Sequence, residues 1–215
     1  MTRGAAEYYP KKQRPRTRII PNPVNLPEGW QKKRQGNTIT AVGRLAEQKQ
    51  FHLLIEAFAK IAPDFPSWNL TIWGEGGLRG DLEAQRAKVG LEPRINLPGL
   101  TDVPGQWVET ADVLAMSSAY EGWPNVIVEG MAAELPVVTF DCEHGPADMI
   151  EDGVTGLLVP QDNVPALSEA LAKVLGDPDL RKSLAERAGE ASARYDTHAI
   201  ADQWMAIVEE AVSAD

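Results

Sequence analysis

Between residues 37 and 175, short apolar runs alternate with stripes of helical period, and this alternation constrains the fold more than any other feature of the chain. Asn37–Val42, Trp68–Trp73, Arg94–Leu97, Asp112–Met116, Pro136–Phe140 and Gly156–Pro160 read as strands, each short and bounded by polar or turn-forming residues. Between the first two, residues 51, 54, 55, 58 and 61 are apolar, the spacing of a helix face. Leu78–Gly90 is predicted as a helix closed by its terminal glycine. A short helix near 105–110, a helix over 124–133, a helical turn over 146–151 and a helix over 164–175 complete the series. The alternation predicts an α/β fold, a doubly wound parallel sheet of Rossmann-like type with about six strands. Helices over 178–194 and 198–213 follow with no further strand. Residues 1–17, rich in Pro, Lys, Arg and Gln, are expected to be an unpacked, disordered lead.

In such a sheet, ligands bind outside the carboxyl ends of the strands. The loops expected there are 43–49, 74–77, 98–100, 117–125 and 141–145. The fourth is the most informative. Glu121 and Glu129 stand eight positions apart, separated by Gly122-Trp-Pro124 and the first turns of an apolar helix. A helix start at the end of a parallel strand offers unpaired N–H groups and the positive end of a dipole, which suit a phosphate or an oxyanion. Glu129, about one turn into the helix, can reach back and accept hydrogen bonds from hydroxyls. Donors for phosphate beside carboxylates for hydroxyls point to a nucleotide sugar.

The same residues carry a family resemblance. Glu121-x7-Glu129, followed by Gly130-Met-Ala-Ala-Glu-Leu-Pro-Val-Val138, resembles the Glu-x7-Glu motif of the retaining GT-B glycosyltransferases of the glycosyltransferase 4 group. Ile20-Pro-Asn-Pro23, Val42-Gly-Arg-Leu45 with Lys49, Gly74-Glu-Gly76, Gly145-Pro146 and Asp152–Val159 match in the same order. The resemblance covers the carboxyl-terminal, donor-binding half of such an enzyme, over a domain at 18–196; the amino-terminal acceptor half has no counterpart. It implies that Gly43, Arg44 and Lys49 hold the donor's diphosphate. Gly74 lines the base side, and Leu97 and Pro98 join the donor-binding set. Glu121 is the catalytic residue beside sugar and diphosphate. Trp123, Asn125 and Val126 bring backbone N–H groups near sugar or phosphate, Gly122 and Pro124 join the donor-binding set, and Glu129 accepts from the ribose hydroxyls. The implied reaction moves a hexosyl or N-acetylhexosaminyl group from a nucleotide sugar, with UDP the favoured carrier, to a polysaccharide, lipid-linked or small-molecule acceptor. No cofactor and no metal are expected. The 215-residue chain alone is expected to be inactive, with 197–215 as a helix crossing to the acceptor half and its apolar stripe exposed, docked on a neighbour or folded back. One departure from the pattern is Glu134, where a small residue is usual; a glutamate fits there if no positive φ is needed.

Composition narrows the alternatives. The net charge is −10, but residues 1–34 hold nine Lys/Arg against Glu7 and Glu28, so that segment is +7 and the rest −17. The acidic body argues against nucleic acid as a partner. The basic lead reads as a solvated connector, with peripheral contact to anionic lipid as the functional alternative. Cys142 is the one cysteine, so no intramolecular disulfide forms, which fits a reducing cytoplasm; the inner membrane face is the location that lipid contact by the basic lead would give. Gly74-x-Gly76 places Arg79 where a dinucleotide fingerprint needs its third glycine, which argues against NAD. Asp177-Pro-Asp179 reads as a helix cap rather than a metal pair. His52, His144 and His198 are scattered, and His144 is expected to be a solvated loop residue. Cys142 lacks a neighbouring base, so it is not expected to act as a nucleophile. The alternative to a transferase is a non-catalytic nucleotide-binding module of the same fold.

Overall fold

The structure, a computed structural model, describes residues 2–14, 17–26, 28–31, 33, 36–103 and 105–213. Arg16, Lys32 and Arg34 of the basic lead lie outside the described residues. The elements are α1 (Arg3–Glu7), β1 (Thr38–Val42), α2 (Phe51–Ile61), β2 (Asn69–Trp73), α3 (Arg79–Lys88), β3 (Ile95–Gly99), β4 (Val113–Met116), α4 (Asn125–Ala132), β5 (Val137–Asp141), α5 (Pro146–Met149), β6 (Leu157–Pro160), α6 (Val164–Gly176), α7 (Pro178–Ser192) and α8 (Thr197–Ser213).

All six strands pair in parallel in the order β3-β2-β1-β4-β5-β6. The chain therefore winds outward from β1 to one edge, then crosses back to β4 and winds to the other. A parallel strand buried on both faces sends alternate residues to opposite sides. β4 does this plainly: Val113 and Ala115 join the core under α2, α3 and α6, while Leu114 and Met116 join the core under α4 and α5. Phe58, Leu167 and Phe140 anchor the first core; Trp107, Ile127 and Met131 anchor the second. Asp177 caps α7 as expected, its Oδ1 accepting the Leu180 N–H at 2.9 Å with Pro178 at the first helical position.

Two expectations change, for the lead and for Glu134, while the α8 stripe is exposed in part, one of the outcomes expected. The lead is not without structure: it carries α1, and the Tyr8 ring meets His144 edge-on with centroids 5.8 Å apart. Of the α8 stripe, Ile200 is buried while Trp204, Met205, Val208 and Val212 are more than half exposed. Among the described residues no helix is long and apolar enough to cross a membrane. Finally, Glu134 does need a positive φ, adopting 53° in the turn after α4. Left-handed backbone costs a residue with a Cβ about 1 to 2 kcal/mol, partly offset because glycine loses more entropy on folding. Glu134→Gly should therefore stabilise the chain by about 0.5 to 1 kcal/mol. Chemical denaturation that shows the variant no more stable would refute the strain argument.

Candidate functional site

The loops after β1, β2 and β3 are packed backbone to backbone. Gly43 N–H donates to Trp73 O at 2.9 Å, Leu45 N–H to Glu75 O at 2.9 Å and Gly74 N–H to Gly99 O at 2.8 Å. That closeness is why Gly74 is a glycine: at φ 139° a Cβ would sit 1.9 Å from Gly43 O. The loops enclose a cavity of about 440 Å³ walled by Val42, Gly43, Arg44, Trp73, Gly99 and Leu100, among others. Leu97 and Pro98, expected in the donor-binding set, are not among its walls. Leu97 turns into the first core, and the chain reaches the cavity at Gly99–Thr101 instead. Sequence reasoning placed Leu100 on a candidate loop without a role and missed Trp73. The alternation of β2 carries a clue to Trp73, since Leu70 and Ile72 fill the first core and Trp73 must face the other way.

On the other side of β1, the loop 46–50 meets the loop 117–121 that follows β4. Ala119 N–H donates to Gln48 O at 2.8 Å, Gln48 Nε2 donates to Tyr120 O at 2.9 Å, and the buried Ser117 hydroxyl donates to Lys49 O at 2.8 Å. These contacts bring Lys49 Nζ to 2.6 Å from Glu121 Oε1, with the two side chains 17% and 8% exposed. Arg44 is exposed and forms no ion pair among the described residues. Gly145 packs against Pro124 and Glu121, so the loop after β5 closes a further side. On that loop Cys142 is buried, and burial first, then the Glu121 charge, pushes its thiol up to about 12. It stays a thiol, as a bystander would. His144 is not the solvated residue expected; Tyr8 lies against it and its side chain is 25% exposed.

No side chain caps α4, whose N-cap position is Pro124. The N–H groups of its first turn, from Asn125 and Val126, thus point out of the helix start just beyond Glu121 and Gly122. Trp123 does not point outward: it packs under the loop against Tyr195, with ring centroids 5.6 Å apart. Asn125 Oδ1 accepts from Asn22 Nδ2 at 3.1 Å, which ties in the segment carrying Ile20–Pro23. Glu129 lies one turn further on the same face as Asn125. Burial raises its carboxyl above the ordinary range, and a hydrogen bond from Trp107 opposes the rise. Trp107, 2% exposed, sits on the turn Gln106–Glu109 just after the loop that begins at Leu100. Nothing in the sequence marked it as a partner of Glu129.

The arrangement places Lys49 against Glu121, the uncapped helix N–H groups just beyond it, and an apolar-walled cavity lined by Arg44 next door. Among the described residues no cluster of three or more His, Cys, Asp or Glu side chains is placed to hold a metal ion. A second cavity of about 360 Å³ opens at the amino ends of the strands beside Asp112, Pro136 and Arg181. It lies at the wrong end of a parallel sheet for ligand binding and takes no part in the site.

The sequence matches the family described as Glycosyl transferases group 1 over residues 25–191. It is 36% identical over 205 residues to an exopolysaccharide phosphotransferase of Streptomyces coelicolor, covering 94% of this chain and 22% of that protein. It is 33% identical over 163 residues to the Campylobacter jejuni N-acetylgalactosamine-N,N'-diacetylbacillosaminyl-diphospho-undecaprenol 4-alpha-N-acetylgalactosaminyltransferase, covering 76% of this chain and 44% of that protein. Among solved structures, Anabaena HepE in complex with UDP superposes with a TM-score of 0.73 at 26% identity, covering 83% of this chain and 49% of that one. The chain spans about half the length, or less, of the curated relatives it matches.

Proposed function

Because the chain belongs to the group 1 glycosyl transferases, as their carboxyl-terminal domain, we propose that it is the donor-binding half of a retaining GT-B enzyme of the glycosyltransferase 4 group. It holds a UDP-sugar whose glycosyl group passes to a hydroxyl of a polysaccharide or lipid-linked saccharide. One observation carries the reading: Lys49 pairs with Glu121 just before the uncapped start of α4, at the carboxyl end of the sheet, beside the cavity that Arg44 lines. The uridine lies in the cavity beside Trp73 and Leu100, and Glu129 accepts from its ribose hydroxyls. The diphosphate meets Arg44, Lys49 and the first N–H groups of α4. Those fixed charges and dipoles stabilise the negative charge that builds on the departing diphosphate, so no metal is assigned to the step. Glu121 faces the sugar and the bond that breaks. The HepE–UDP complex supports the choice of nucleotide, and the Campylobacter relative supports a lipid-linked acceptor. The second reading, a nucleotide-binding module without transfer chemistry, draws on the Streptomyces relative, where the matching region is 22% of a phosphotransferase.

The test is thermal. UDP should raise the melting temperature of the chain without added metal, and EDTA should leave the shift intact. A shift that appears only with Mg²⁺ or Mn²⁺ would overturn the metal-free site.

A pH dependence follows from Glu129. Its carboxyl ionises at higher pH in the ligand-free fold than in the unfolded chain, because of burial. This group therefore stabilises the empty fold at low pH, and that contribution fades as pH rises through its raised pKa. Ribose hydroxyls bind the ionised form, so uridine affinity should move the opposite way, falling as pH drops through the same value. Glu129→Gln should weaken uridine by about 1 to 3 kcal/mol and flatten the profile. A variant that binds uridine with unaltered affinity and pH profile would remove Glu129 from the ribose.

A further inference from the structure

Without ligand, one of the two cations assigned to the diphosphate is already neutralised. Lys49 is paired with Glu121, and both side chains are largely shielded from water. The pair is built in rather than incidental, because the Gln48 and Ser117 hydrogen bonds fix both loops at this point. Arg44 alone among the described cations of these loops carries uncompensated charge into the site.

We propose that Glu121 distinguishes the loaded nucleotide sugar from the spent nucleoside diphosphate, by competing with the terminal phosphate for Lys49. This rests on the donor reading above and deepens it. In a nucleotide sugar the terminal phosphate is esterified and carries one charge. In the spent nucleotide it is a monoester with a second ionisation near ~6, so it carries almost two at neutral pH. An anion that takes Lys49 leaves the Glu121 carboxylate shielded and unpaired, which is costly, and faces it across a few ångströms of poorly screened space. A sugar attached at that point offers hydroxyl donors that replace Lys49 on Glu121. A bare terminal phosphate offers none and brings the extra charge. The pair thus admits the donor and expels the product.

Calorimetry on the purified 215-residue chain at a pH well above that ionisation tests the proposal, with UDP, UDP-glucose and uridine as probes. Glu121→Gln should tighten UDP by about tenfold or more while UDP-glucose stays level or weakens. Uridine affinity should stay within about twofold, since the base and ribose contacts are untouched and the fold is intact. In the double variant Glu121→Gln, Lys49→Met the UDP gain should vanish, because the cation that Glu121 occupied is gone. UDP affinity in Glu121→Gln at or below the wild-type level, or a gain that survives in the double variant, would overturn the proposal. If the wild-type chain binds neither UDP-glucose nor UDP more tightly than uridine, the donor reading itself falls, and the variants are not needed to see it.

Discussion

Gly74→Ala is expected to cost about 2 to 6 kcal/mol of stability, from overpacking and backbone strain together. A Cβ there lies 1.9 Å from a backbone oxygen, Gly43 O, and no side-chain rotation relieves that contact. The φ of 139° is also one that residues with a Cβ rarely adopt. Relief requires the loop after β1 to move, and that loop carries Arg44 and Lys49. UDP binding should therefore fall further than the loss of stability alone explains. Gly77 is the control: nothing lies within 4 Å of its Cβ position, and Gly77→Ala should stay within about 0.5 kcal/mol of wild type. Urea denaturation of the two variants decides the matter. Matching midpoints for Gly74→Ala and Gly77→Ala would show that the loop yields freely and that the close packing there sets nothing.

The 215-residue chain alone is expected to bind a nucleotide sugar and transfer nothing. Every site residue above is assigned to the donor. Holding an acceptor in line with the donor can supply roughly 7 to 11 kcal/mol of the barrier, and no residue described here does so. The match covers 54% and 49% of two relatives' length, and α8 presents Trp204, Met205, Val208 and Val212 to solvent on one stretch. An apolar surface of this kind is suited to cover a second domain. We propose that it meets the acceptor-side half. The measurement is glycosyl transfer from UDP-sugars to a panel of saccharide and lipid-linked acceptors, with Glu121→Ala as background. Turnover above that background would show that the donor half carries its own acceptor site.

The sheet was legible because its central strands are buried on both faces and so read as near-continuous apolar runs. Strand positions agree to within a residue or two, except that β3 runs on through Pro98 and Gly99. A Pro-Gly pair reads as a break. Here β3 is the edge of the sheet, where the missing proline N–H has no partner to lose, and Gly99 still pairs with Trp73. The pairing of Lys49 with Glu121 was out of reach for a different reason. Each was singled out alone, but they are 72 positions apart, and only the crossover from β3 back to β4 makes them neighbours. Trp107 and Tyr8 were invisible because their partners, Glu129 and His144, are chosen by tertiary packing rather than by local pattern. Glu134 is the converse case, a local conflict that the sequence flagged and the backbone bears out with a φ of 53°.

The junction of β1 with β4 joins two halves of the sheet that are otherwise wound separately. At its amino end the halves are tied by two bonds, Asp112 N–H to Thr38 O at 2.9 Å and Thr38 N–H to Asp112 Oδ2 at 3.0 Å. At its carboxyl end they are tied by the loops that carry Lys49 and Glu121. A ligand gripped from both loops acts as a staple across this joint, and it stabilises only the closed form. At a concentration of 100 times its dissociation constant, such a ligand adds about 2.7 kcal/mol to every opening that separates the halves. Amide hydrogen exchange at Thr38 and Asp112, on the far edge from the ligand, should then slow together when UDP is added, while the frayed end of α8 exchanges as before.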